Sequence, residues 1–94
     1  MAIEKVLETV TVDGLDLYYT YRGYNNDIEV YTLTKDNVTY SLYQKPNESE
    51  WHCDWSKSYN CQLIDLEADA TNKDAMLKAF VAMLKDLPDV DAGH

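Results

Sequence analysis

Apolar and polar residues alternate with a period of two through most of the chain, and the period lengthens to that of a helix only near the C-terminus. "TVDGLDL", residues 11–17, is the sharpest local signal. Asp13-Gly14 between alternating apolar residues is the signature of a two-residue type I′ turn, since both turn positions need positive φ. Such a turn pairs Val12 with Leu15, Val10 with Leu17, Glu8 with Tyr19 and Val6 with Tyr21. One face then carries Val6, Val10, Val12, Leu15, Leu17, Tyr19 and Tyr21, broken only by Glu8. The other carries Leu7, Thr9, Thr11, Asp16, Tyr18, Thr20 and Arg22, as expected of a half-buried antiparallel pair.

"GYNND" at 23–27 reads as a loop from its Gly and Asn content. "IEVYTLT" and "VTYSLYQ" follow, separated by Lys35-Asp36-Asn37. A three-residue hairpin loop, with Asn37 left-handed, places Ile28, Val30, Val38, Tyr40 and Leu42 on one face. Tyr31, Leu33, Thr39, Ser41 and Tyr43 then fall on the opposite one. "KPNESE" is a loop, because Pro46 stops a strand.

In "TNKDAMLKAFVAMLKDLP", residues 71–88, Met76, Leu77, Phe80, Val81, Leu84 and Leu87 recur at helical spacing. Thr71 or Asn72 serves as cap, Asp74 lies in the first turn, and Pro88 follows the end, with "DVDAGH" fraying. The pattern predicts an α+β fold: an antiparallel β-meander of four to six strands with one C-terminal helix packed on one face, the one bearing Val6, Val10 and Leu17. Phe80, Leu77 and Leu84 are expected against Val10, Leu17 and Val30. Residues 1–94 suffice for one domain.

"ESEWHCDWSKSYNC", residues 48–61, is the stretch that most resembles chemistry. A hairpin with loop Ser56-Lys57-Ser58 accounts for it as structure. Trp55 then faces Tyr59, Cys53 faces Cys61 and Trp51 faces Leu63, all on one side, while His52, Asp54, Asn60 and Gln62 take the other. His52 and Cys53 are neighbours on a strand, point to opposite faces and cannot share an ion. The paired ligand spacings of a zinc site are missing, and His94 sits on the tail. No metal is therefore expected. No second His stands ready to activate a thiol, and opposed cysteines would form a disulfide only in an oxidising compartment.

Net charge then narrows the partners. Seventeen acidic against eight basic residues leave −9, with the bases scattered. Phosphate binding needs clustered Lys and Arg, so direct nucleic-acid or anionic-membrane binding is disfavoured. No apolar run reaches the length of a membrane span, and "MAIEKVLETV" lacks a secretory apolar core, so a cytoplasmic location is expected. Phosphate-cradling loops, nucleophile elbows, dinucleotide-binding glycines and EF-hand loops are all missing, so no enzyme, catalytic residue or cofactor is expected.

Two surface features remain. Tyr18, Tyr31 and Tyr43, with Leu33, are expected on the sheet face away from the helix, where tyrosines on a rigid surface suit an interface. Asp65, Glu67 and Asp69 head an acidic cluster beside the helix start, with Asp74, and more acids follow at its end. Spaced carboxylates can occupy a groove meant for phosphates. The expectation is a small acidic, non-enzymatic binding protein that acts as a nucleic-acid mimic and inhibits a larger basic partner. Phage-encoded anti-defence inhibitors and immunity proteins work in this manner. A homodimeric structural or accessory subunit, for which acidity is only solubility, is the alternative.

Overall fold

The computed structural model describes residues 5–22, 28–45 and 47–87, with the backbone alone at 5–7, 22 and 28. The expectations for the 23–27 loop, Pro46, Pro88, the 89–94 tail and the side chains of Val6, Leu7, Arg22 and Ile28 lie outside the described residues.

Six strands form one antiparallel meander in chain order. They are β1 (Lys5–Val12), β2 (Leu15–Arg22), β3 (Ile28–Lys35), β4 (Val38–Gln44), β5 (Trp51–Lys57) and β6 (Asn60–Ile64), followed by one helix, α1 (Lys73–Asp86). The first hairpin has the expected register, Val12 opposite Leu15 and Glu8 opposite Tyr19, around a turn with Asp13 at φ 50° and Gly14 at φ 83°.

The second hairpin does not close as its sequence suggested. Lys35 pairs with Val38, leaving a two-residue turn in which Asp36 and Asn37 both have positive φ, 56° and 67°. Both residues tolerate the left-handed region, so the pair does what Asp-Gly does in the first hairpin. Because strand side chains alternate faces, one residue of register reverses the β3 assignments relative to those of β4. Tyr31 lies opposite Leu42 and Leu33 opposite Tyr40, all facing inward. Val30 pairs with Tyr43 on the outer face, so it is no part of the core.

The third hairpin shows the same correction. Lys57 pairs with Asn60 around Ser58-Tyr59, and only Ser58 has positive φ. Cys53 therefore faces Ile64 and Cys61 faces Ser56, on opposite sides of the sheet. Both are free thiols, and the expected cross-strand pairing of Cys53 with Cys61, which a disulfide would have needed, is not formed.

With all three turns two residues long, inward positions line up across the whole sheet. One row runs Glu8, Tyr19, Tyr31, Leu42, Cys53 and Ile64. The helix lies over this face, with Met76, Leu77, Phe80, Val81 and Leu84 buried against Leu17, Tyr31, Tyr40, Leu42, Trp51 and Cys53. Val10 packs at the margin. Asn72 caps the helix, its side-chain oxygen accepting from the Ala75 N–H at 3.1 Å. At the other end the Lys85 amine donates to the Asp13 carbonyl, tying the last helical turn to the first hairpin.

Phe80 is the largest of the fully buried side chains of the core. Phe80→Ala should cost about 3–5 kcal/mol, because the cavity it leaves is bounded by a sheet that cannot collapse into it. A urea midpoint close to that of the parent protein would show that the helix does not hold this face.

Candidate functional site

No described residue covers the sheet face turned away from the helix, and this face is rich in hydroxyls. Across its middle run Thr9, Tyr18, Thr32, Ser41, Asp54 and Leu63. Thr34 and Thr39 share a 3.0 Å hydrogen bond across β3 and β4, and the Thr11 hydroxyl donates to Asp16 at 2.6 Å. Tyr18 is 58% exposed and Leu63 75% exposed, the two large apolar projections of this face. Tyr43 is half-buried, its ring stacked at 5.5 Å on His52, which in turn pairs with Glu48 at 3.0 Å. Local burial and the Asp54 carboxylate push the Tyr43 hydroxyl pKa up.

Of the aromatic surface expected from the sequence, Tyr18 and Tyr43 lie on this outer face and the other two members do not. Tyr31 is 4% exposed, in the middle of the core, and Leu33 packs inward against it. The cause is the two-residue turn at Asp36-Asn37, which sends both side chains under the helix. Leu63 takes a place in the exposed patch that the expected third-hairpin register had put on the Trp face.

The acidic set lies on the connector between β6 and α1. Residues 65–70 alternate: Leu66, Ala68 and Ala70 pack against the core, while Asp65, Glu67 and Asp69 are exposed. Two backbone hydrogen bonds hold the segment, Trp51 N–H to the Ala70 carbonyl at 2.8 Å and Ala68 N–H to the Leu66 carbonyl at 2.9 Å. Asp69 also has a structural duty. Its carboxylate accepts from the Thr71 hydroxyl at 2.7 Å and the Thr71 N–H at 3.0 Å, and these bonds hold its pKa below the usual carboxylate range. Glu48 and Glu50 stand on the β4–β5 loop at the same end of the sheet, and Asp74 in the first helical turn.

At this same end a cluster lies underneath, built from residues far apart in sequence. The Glu29 carboxylate accepts from the Tyr19 hydroxyl and from the Lys73 amine, each at 3.3 Å. The Lys73 amine sits 5.5 Å from the Tyr31 ring centre and 5.9 Å from that of Trp51. Tyr19 and Tyr31 stack at 4.9 Å, Tyr31 and Trp51 at 6.0 Å. A lysine in the first turn opposes the helix dipole. Here the ring faces and the carboxylate offset that cost. Hydrogen bonding to the Tyr31 hydroxyl, with the charge of Glu29, outweighs desolvation and raises the Lys73 pKa. Desolvation, followed by the Glu29 charge, pushes the Tyr19 hydroxyl to about 12. Lys73 reads in sequence as an ordinary exposed helix residue, and no spacing rule connects it with Glu29 or Trp51.

The Trp-Cys stretch is divided between the two faces. Trp51 and Cys53 are buried, and desolvation pushes the Cys53 thiol to about 12, so it stays protonated and packs as a small apolar group. Cys61 is exposed at 3.8 Å from the Asp54 carboxylate; local desolvation and that carboxylate raise its pKa, which lowers its thiolate fraction at neutral pH. Among the described residues no group of three or more His, Cys, Asp or Glu side chains is gathered to hold a metal ion. No helix of the described residues is long and apolar enough to cross a membrane. Comparison with protein families, curated proteins and solved structures returned no match.

Titration of the partly buried cluster makes an alkaline prediction. Below pH 10.0, the ordinary tyrosine value, Tyr19 is protonated in folded and unfolded chains alike, and its contribution is fully present. From there to about 12 the unfolded chain releases a proton that the folded chain retains, so stability falls as pH rises. Lys73 and Cys53 are shifted in the same direction and steepen the fall. Tyr19→Phe should make the decline above pH 10 shallower in urea titrations run at successive pH values. An unchanged slope would mean that Tyr19 titrates normally.

Proposed function

We propose that the protein is a small acidic, non-enzymatic binding protein that inhibits a larger partner with a basic surface. A nucleic-acid-binding protein is the natural target, as for phage inhibitors of bacterial defence and for immunity proteins. The observation that carries this reading is the carboxylate stripe of Asp65, Glu67 and Asp69. It projects from a connector whose alternate residues are packed into the core. Carboxylates on an anchored backbone meet a cationic groove without first having to be ordered, which lowers the entropy cost of binding. The overall charge of −9 supplies long-range steering to the same partner. Action in the cytoplasm is part of this reading.

The uncovered sheet face supports a second reading, a homodimeric accessory subunit. Tyr18 and Leu63 stand exposed on a broad hydroxyl-rich surface where a second copy would find apolar anchors.

Asp65→Asn with Glu67→Gln separates the two. Asp69 is left intact because its hydrogen bonds to Thr71 shape the approach to the helix. The double variant should keep its melting midpoint, since exposed carboxylates contribute little stability. It should associate several-fold more slowly with a basic partner in surface plasmon resonance, with a flatter dependence on salt. Unchanged rates at both low and high salt would remove the stripe from the interface. Tyr18→Ala instead should leave the on-rate intact and weaken self-association in sedimentation runs if the open face is a dimer contact.

A further inference from the structure

At the hairpin-turn end of the molecule the helix stops before the inner face of the sheet does. Leu87 leaves the helix in an extended conformation, φ −61° and ψ 139°. The corner that no described residue covers is a cleft of about 420 Å³. Its floor is Val38, Tyr40, Trp55 and Ile64 from the sheet, and its wall is Met83 and Leu87 from the helix. Trp55 and Met83 are only half-buried, so the core's apolar surface continues into solvent here. Small-molecule sites have this size and character, about 300–1,000 Å³ of mostly apolar surface with a few polar groups.

The charge of the cleft is opposite to that of the protein. In a chain with 17 acidic and 8 basic residues, the lining contains no carboxylate, and its one charged member is Lys57. Lys35 pairs with Val38 across β3 and β4, which places a second lysine on the same face beside the cleft. Neither lysine forms an ion pair among the described residues. An apolar floor with an uncompensated amine at its mouth is complementary to a molecule with an apolar body and an anionic head.

We propose that this cleft binds a small amphipathic carboxylate, its chain laid between Trp55 and the helix residues Met83 and Leu87 and its head at Lys57. The site is independent of the carboxylate stripe, which lies at the other end of the sheet. Decanoate is a suitable probe, read by two-dimensional NMR of the full chain. The Trp55 indole N–H should shift saturably together with Lys57 and Met83. The Trp51 indole, buried beneath Lys73 at the far end, should not move. Lys57→Glu should weaken binding by about tenfold, the worth of one charge-assisted contact, with no change in melting midpoint. Decyltrimethylammonium, with the same chain and opposite head, should bind at least about tenfold more weakly for the same reason. Equal binding of the cationic probe, an undiminished affinity in Lys57→Glu, or the absence of saturable shifts would overturn the proposal. Shifts at Trp55 that depend on protein concentration without decanoate would also overturn it, by assigning the cleft to a second copy of the chain.

Discussion

The three hairpins at one end of the sheet all close with two residues, and the rest of the fold follows from that. A strand shows alternate side chains to alternate faces, so a two-residue turn keeps inward residues opposite inward residues from one strand to the next. The consequence is a continuous apolar row from Tyr19 through Tyr31, Leu42 and Cys53 to Ile64. Had any one turn carried a third residue, every strand beyond it would have presented its polar face to the helix. The backbone cost of these turns is met locally: Asp13, Gly14, Asp36 and Asn37 all tolerate positive φ.

One helix on a six-stranded sheet makes the two faces unequal. The inner face can be aromatic and aliphatic where α1 covers it, and the open cleft near Trp55 and Met83 marks where that cover ends. The outer face has no cover among the described residues, and its threonine hydroxyls pair with one another, as Thr34 with Thr39, or with a carboxylate, as Thr11 with Asp16. β-branched threonine keeps strand geometry while offering water a polar surface, which explains why an uncovered sheet remains compatible with a folded chain of this size. Tyr18 and Leu63 are exceptions to this composition, which is why they stand out as contact candidates.

Most of this architecture was legible in the residues. Asp-Gly fixed the first register, helical spacing identified five buried residues of α1, and Asn72 was among the two caps expected. The later registers were not, for a physical reason. Asp36-Asn37 and Ser58-Tyr59 contain no glycine, and an Asn that tolerates positive φ fits a three-residue loop as well as a two-residue turn, so residue type alone does not set the turn length. Lys35, with its long side chain, reads equally as loop or as strand end. The error is small in sequence and large in space, because one step of register carried Tyr31 and Leu33 from the outer face to the core and separated Cys53 from Cys61. The acids were legible as a cluster beside the helix start, while the packing of Leu66, Ala68 and Ala70 that spaces Asp65, Glu67 and Asp69 along an anchored connector is seen only in the fold. The Glu29–Lys73 pair was not, since its members are 44 residues apart and only the folded sheet brings them together.

That pair also bears on the electrostatics of the acidic end. Lys73 is the basic residue nearest the stripe in sequence, and its side chain remains partly exposed. Its amine lies near the Tyr31 and Trp51 rings and pairs with Glu29 at the helix start. Its charge is matched by the Glu29 carboxylate, and none of Asp65, Glu67 and Asp69 forms an ion pair among the described residues. The same contact anchors the helix start just beyond the connector, whose other attachment is the Trp51–Ala70 backbone hydrogen bond. A contact at the helix start thus also fixes the end of the connector that carries the stripe, so its carboxylates project from an ordered backbone.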